Sequence, residues 1–285
     1  KYNSERLRWF DHWLKDVDNG AQDDPPVRMF TMGGGDGSLS APKSSGAGVF
    51  GSGIAAKGYL NHGGRWREEQ QWPLPEAVQT PFYLREGNRL STEAPKAAAG
   101  AATWTHDPEH PVPTLGASVA PFLEFVPLPK GISPDYLSTR GRMTTFTYDG
   151  PMHQRERPDI FGSAEPYPML SERSDVVVFE TEPLAEAVEV TGQVRVKLWV
   201  SSSAPDTDFT ARLIDVYPPS ADVPEGYHMN ILDSILRARF RDGFDAERLM
   251  EPGTIYPITI VLPPTSNMFA RGHRIRLDIA SSNFP

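Results

Sequence analysis

VEVTGQVRVKLWVSSSAPDTDFTARLIDV, residues 188–216, decides the fold. Val188, Val190, Val194, Val196, Leu198 and Val200 alternate with polar or small residues, a period of two that turns one side of a strand towards a core. Thr191-Gly192 interrupts the alternation as a bulge or bend does. Ser201 to Asp206 turns the chain with small residues, Pro205 and Asp206. Phe209, Ala211, Leu213 and then Asp215 alternate with Thr210, Arg212 and Ile214 in a second strand. Two such strands about a sharp turn predict a β-sandwich and carry no chemistry of their own.

The same pattern extends both ways. Towards the C-terminus, residues 217–230 read as a loop, and Ile231 to Phe240 ends in an alternating strand. Pro252-Gly253 is a turn and Ile255 to Leu262 alternates again. Asn267-Met268-Phe269 leads to Gly272, and Arg274 to Ala280 alternates once more. Towards the N-terminus, Val176-Val177-Val178-Phe179 is a fully apolar strand of the kind that fills a sandwich core. Met152 to Ser174 is a polar excursion and Met143 to Tyr148 a strand. The proline-rich stretch 111–134 is irregular, because proline neither donates to a ladder nor continues a helix. Phe82-Tyr83-Leu84 is a strand, Glu86-Gly87-Asn88 a turn with Leu90 resuming, and Val27 to Met32 another strand. About nine or ten strands, one helix and long loops predict an all-β sandwich of jelly-roll type.

The one helix comes first. Ser4 is placed to cap it, Glu5 suits its first turn, and Asn19-Gly20 ends it. Leu7, Phe10 and Leu14 fall on one face, with Trp9 and Trp13 on a neighbouring one. About three turns of helix cannot cover two tryptophans alone, so the helix is expected to pack against something, either the sandwich, as a capping helix, or something outside this chain. Residues 33–64, rich in Gly, Ser and Ala, read as a flexible surface insertion. Gly33-Gly34-Gly35-Asp36-Gly37 is not a phosphate loop: no Lys-Ser/Thr follows at Walker spacing and no GxGxxG opens a helix. Trp66 and Trp72 stand beside charged groups, which leaves two readings open. One is an exposed ligand platform; the other is buried packing, the commoner fate of tryptophan.

The chain has 285 residues, enough for one large domain or two small ones. Its 28 prolines and 24 glycines suit many turns between short strands. A net charge of −9 argues against nucleic acid or an anionic membrane surface as partner. No run of about 18 apolar residues is present to span a bilayer. The absence of cysteine excludes disulfides, thiolate zinc sites and a cysteine nucleophile. It leaves both a cytoplasmic and a secreted location open for a soluble protein, and a homo-oligomer stays open too.

Catalytic motifs are sparse. Gly-x-Ser-x-Gly, which places a nucleophile on a tight strand-to-helix turn, does not occur. Ser118, in Gly116-Ala117-Ser118-Val119-Ala120, comes nearest and reads as an ordinary loop serine. His106-Asp107-Pro108-Glu109-His110 has metal-ligand residue types, but Pro108 prevents the helix that would align the histidines, so a turn is expected. Asp206-Thr207-Asp208 has carboxylates for a hard cation, against the alternative that they tie a turn. His273 reads as a structural turn histidine. Neither a metal nor a cofactor is expected.

Several stretches together resemble the C-terminal region of the cocaine-esterase/NonD family of α/β hydrolases, a region shared with X-Pro dipeptidyl-peptidases and α-amino-acid ester hydrolases. They include RLRWFDHWLKD (6–16), PPVRMFTMG (25–33), RWREEQQWP (65–73), HDPEHPVPTLG (106–116) and ERSDVVVFETEPL (172–184). The central stretch 188–218, ILRARFRD (235–242), EPGTIYPITI (251–260) and TSNMFARGHRIRLDIASSNFP (265–285) continue the series. The resemblance covers nearly the whole chain in order. It implies that residues 1–20 are the last helix of an upstream α/β-hydrolase domain, and that 21–285 form a jelly-roll (galactose-binding-like) C-terminal domain lacking its last strands. It also implies that the Ser-Asp-His triad and a cap domain lie upstream of Lys1, so that no residue here is catalytic. Gly150-Pro151-Met152-His153-Gln154-Arg155 resembles the family's Gly-Pro-Leu-Asp-Gln-Arg loop near the cleft, which makes Pro151 and Met152 candidate substrate-lining residues. A packed loop methionine is the competing reading for Met152. His153 stands where the family usually has Asp, which leaves an ion pair at that place without its acid. Extra residues at 156–171 and the 33–64 insertion depart from the family.

Two functions compete. The first is the C-terminal domain of a serine hydrolase of acyl ester or amide bonds, X-Pro peptides included. It would pack on the upstream hydrolase and cap domains and wall the substrate cleft. The second is a non-catalytic jelly-roll module that binds carbohydrate or another small ligand; fold alone does not decide between them.

Overall fold

The two strands of residues 188–216 fall in different sheets. In this computed structural model, residues 2–40, 59–96, 100–116, 150–158, 160 and 162–284 are described. Helix α1 (Tyr2–Lys15) comes first, followed by a 3-10 turn (Ala21–Asp23). The described strands are β1 (Val27–Gly34), β2 (Leu39–Ser40), β3 (Tyr59–Leu60), β4 (Gly63–Glu69), β5 (Tyr83–Arg85) and β6 (Arg89–Ser91). Then come β7 (Val177–Glu180), β8 (Val188–Val200), β9 (Asp208–Val216), β10 (His228–Arg237), β11 (Tyr256–Phe269) and β12 (Arg274–Ala280). One sheet has the order β4-β1-β11-β8 and the other β10-β9-β12-β7-β6-β5, with β2 and β3 paired apart. The chain after Val200 therefore crosses from sheet to sheet instead of closing a hairpin.

The alternation read from the sequence fills the space between the sheets. Val196, Leu198 and Val200 of β8 and Ile258, Ile260 and Leu262 of β11 meet Phe209, Ala211 and Leu213 of β9 and Ile275, Leu277 and Ile279 of β12. The two sheets form the expected all-β sandwich, preceded by one helix. Opposite this core, the far face of the six-stranded sheet is covered as well. Ala280 and Val178 there pack with Val112, Leu115, Met152, Ile160, Leu170 and Val176. Both faces of β7 are thus apolar because both are covered.

Three local expectations change. Thr191-Gly192 is not the bulge: Gly192 pairs in register with Thr265, and the register shift lies on β11 between Val261 and Pro264. β11 accordingly runs on through Pro263-Pro264, past Leu262 where the alternation was read to end, because a bulge accommodates residues that cannot donate. The glycine run 33–37 is packed. A Cβ on Gly33 would stand 2.2 Å from the Met268 carbonyl oxygen, on Gly35 2.2 Å from that of Asn61, and on Gly37 2.8 Å from the Tyr217 ring. The ends of the 33–64 insertion are strand residues of β1 to β4, and its middle, 41–58, lies outside the described residues. So do Ser118, the stretch 117–134 and the strand expected over Met143 to Tyr148.

α1 ends at Lys15, earlier than Asn19-Gly20, because Asp16 adopts a left-handed conformation (φ 53°). The Asn19 side chain donates to the Arg8 carbonyl (2.7 Å), and Arg8 pairs with Asp24, folding the linker back on the helix. Among the described residues no member of the core clusters lies on the helix, and Leu7 (61%), Trp9 (52%), Trp13 (55%) and Leu14 (74%) remain exposed.

Candidate functional site

Residues 152–156 form an added edge on the six-stranded sheet. His153 bridges Met229 of β10 in antiparallel fashion, and Arg155 bridges Met169. Gln154 N–H donates to the His228 carbonyl (2.9 Å), Leu170 N–H to the Gln154 carbonyl (2.8 Å), and Glu156 N–H to the Pro168 carbonyl (2.9 Å). Asn230 locks the start of the segment: its Oδ1 accepts from Met152 N–H (2.7 Å) and its Nδ2 donates to the Gly116 carbonyl (3.1 Å). Period two then divides the side chains. Met152, Gln154 and Glu156 are buried, while His153, Arg155 and Arg157 are half-buried on the other side. Pro151 is exposed at the head of the segment. Met152, at 2% exposure, packs with Val112, Leu115 and Leu170 on the covered far face of the six-stranded sheet.

Behind the segment lies a buried polar network. The His228 backbone N–H donates to His153 Nδ1 (3.0 Å), which places the His153 proton on Nε2. His153 also stacks on Tyr227, with ring centroids 4.7 Å apart. Arg276 Nη1 donates to His228 Nδ1 (2.7 Å) while its Nε and Nη2 hold both oxygens of Asp278 at 2.8 Å. Burial pulls His153 down to about 4 and His228 to about 3, so both are neutral near pH 7. Arg212, fully buried alongside, donates to Asn283 Oδ1 (2.5 Å), and burial lowers its pKa. A second hub is Arg173, which bonds Glu156 (2.7 Å), both oxygens of Asp175 (2.8 Å each) and the His110 carbonyl (2.6 Å). These contacts fasten residues 110–116, 152–156 and 168–176 to the sheet.

The other candidates are accounted for by local bonds. Asp206 accepts from Arg239 N–H (2.9 Å) and Nε (2.6 Å), and Asp208 takes a two-pronged bond from Arg237 (2.9 and 2.8 Å), so both carboxylates tie the turn. Asp107 accepts from Glu109 N–H and faces His110 Nδ1, both at 2.9 Å, closing the expected turn; the His110 contact leads the lowering of its pKa. This turn borders a polar surface groove of Thr105, Asp107, His110, Arg173, Ser174 and Asp175. Among the described residues no group of three or more His, Asp or Glu is arranged to hold a metal. His273 is buried and meets Asp215 Oδ1 at 2.8 Å, with its ring 4.1 Å from that of Tyr217. Trp66 and Trp72 are exposed, at 64% and 43%, contrary to the commoner fate of tryptophan.

Sequence reading missed Arg212, Arg276 and Asp278. They occupy the polar positions of alternating strands, which normally face water, and only the covering segments bury them. The proline-rich composition of 111–116 was the one available signal that such a cover exists.

An all-β sandwich led by a helix with exposed apolar side chains is the class these features define. Residues 19–285 match the family model described as X-Pro dipeptidyl-peptidase C-terminal non-catalytic domain. The chain is 37% identical over 229 residues to the cocaine esterase of Rhodococcus sp. (strain MB1 Bresler), which is 77% of this chain and 32% of that protein. Two solved structures share the fold. An α-amino acid ester hydrolase matches with a TM-score of 0.52 at 26% identity, over 78% of this chain and 32% of its own. An aminopeptidase from a Thaumarchaeota archaeon matches with 0.54 at 25%, over 99% and 37%. The chain belongs to this family, as a non-catalytic C-terminal domain of the cocaine-esterase/NonD hydrolases. It spans about a third of the length of these relatives.

Proposed function

We propose that this chain is the C-terminal domain of a serine hydrolase that cleaves acyl ester or amide bonds, X-Pro peptide bonds included. The strand order, with β8 and β11 in one sheet and β7, β9, β10 and β12 in the other, supports the jelly-roll reading. The whole enzyme works by nucleophilic acyl transfer through an acyl-enzyme, with its serine, acid and histidine upstream of Lys1. The sandwich packs on that catalytic domain and walls its cleft. Pro151, exposed at the head of the locked 152–156 segment, faces the substrate, and Met152 supports it from the core beneath.

The observation that carries this reading is α1. Leaving Leu7, Trp9, Phe10, Trp13 and Leu14 in water forgoes roughly 1.5–3 kcal/mol for each large side chain that a partner would bury. A second domain in the same polypeptide supplies that cover. The test compares the full-length protein with residues 1–285 alone on nitrophenyl acyl esters, acyl amides and X-Pro nitroanilides. Turnover by the full-length protein and none by residues 1–285 is expected. A full-length protein inert on all three classes overturns the proposal and leaves the ligand-binding module as the better account.

A further inference from the structure

We infer that the face of β1 and β4 bearing Arg28, Phe30 and Trp66 is the surface by which the sandwich docks on the catalytic part of its own polypeptide. The inference rests on the hydrolase reading above and adds to it the contact surface. In the β1–β4 ladder Arg28 lies opposite Glu68 and Phe30 opposite Trp66, so all four side chains share one face. The neighbouring Thr31 points the other way, 1% exposed and bonded to Ser266 (2.9 Å). The outward face is exposed, with Trp66 at 64% and Phe30 at 38%.

The patch is built stiff. Phe30 lies against Gly64, where a Cβ would stand 2.4 Å from its ring. It meets Trp66 edge-on at 5.4 Å, and the Arg28 guanidinium lies over the Trp66 ring at 5.3 Å. Two aromatics and an arginine already fixed in place lose little freedom on contact, and these residue types dominate the centres of protein interfaces. Arg28 takes part in none of the ion pairs found among the described residues, which leaves its charge available to an acceptor opposite.

The identity of the partner follows from continuity along the chain. Arg8 of α1 pairs with Asp24, and Arg28 follows Asp24 by four residues, so α1 is fastened to the root of β1. A domain that covers the apolar face of α1 therefore sits beside the strand that carries this patch. The relatives are about three times as long as this chain, which supplies a domain of that size.

Hydroxyl-radical footprinting of the full-length protein tests this, with Trp199 as the internal reference. Trp199 is 75% exposed and lies on β8, at the opposite edge of the same sheet. Trp66 is expected to oxidise about tenfold more slowly than Trp199, because an interface centre excludes water. Comparable rates overturn the inference, whether the patch then faces solvent or a soluble ligand. A second readout uses Trp66→Ala, which removes an exposed ring and spares the sandwich core. It is expected to split the thermal unfolding of the full-length protein into two separate transitions; an unchanged profile counts against docking here. A native protein that takes no serine-reactive probe refutes the hydrolase reading itself, whereas a labelled protein with a freely oxidised Trp66 refutes only this surface.

Discussion

Arg276 and Asp278 stand two apart on β12 with side chains 1% and 0% exposed, and the guanidinium bonds both carboxylate oxygens. Removing one partner leaves the other buried and uncompensated, so Arg276→Met should destabilise the sandwich by about 3 kcal/mol. Replacing both, with Asp278→Leu added, should recover much of that loss. The midpoint of the sandwich's urea transition measures both. The histidines behind the 152–156 segment give a pH dependence of definite sign. Their pKa values are lower folded than the ordinary 6.5, so the unfolded chain binds more protons below that value. Stability is full above pH 6.5 and falls as pH drops towards about 4 for His153 and about 3 for His228. Between pH 7 and 5 the loss is roughly 2 kcal/mol per histidine. His228→Asn, whose Oδ1 still accepts from Arg276, should flatten this slope in a urea series at the two pH values; an unchanged slope would mean that His228 is not buried neutral. None of this network was legible beforehand. Arg276 and Asp278 looked like the wet side of a strand, and His153 was notable only for standing where Asp is usual. Burial of a sheet's outer face depends on segments distant in sequence.

Among the elements, the strands were the legible part. Val196, Leu198 and Val200 point inwards as their spacing required, because a period of two has only one way to bury a face. The glycine run 33–37 was misread for a physical reason: composition does not distinguish a glycine chosen for freedom from one chosen for close approach. Gly33 and Gly87 separate the two cases, since both have positive φ, 81° and 70°, but only Gly33 has backbone within reach of a Cβ. Gly87→Ala should cost about 1 kcal/mol for backbone conformation alone. Gly33→Ala should cost clearly more, because β1 must also retreat from Met268. Equal losses in denaturant titrations of the two variants would show that β1 is not held against β11 at that point. The end of α1 was misjudged too, since nothing in Asp16 announces a left-handed residue, whereas the linker that folds back through Asn19 and Arg8 is visible only in three dimensions.

At the scale of the whole molecule, the sandwich encloses a core while the apolar side chains of the helix lie exposed. The two sheets close a continuous core, while α1 is bonded to the turn after it through Asn19 and Asp24. That imbalance was readable from Trp9 and Trp13, because a short helix cannot cover two indoles. The substrate was not readable, because the two lining candidates, Pro151 and Met152, came from the resemblance alone, and Met152 lies in the core. The most direct test of the hydrolase account is to treat the full-length native protein with a fluorophosphonate and locate the modified serine by peptide mass. The account predicts one labelled serine in a peptide upstream of Lys1, on a protein well above 31.6 kDa. A label within residues 1–285, or an unlabelled protein of about that mass, would contradict it.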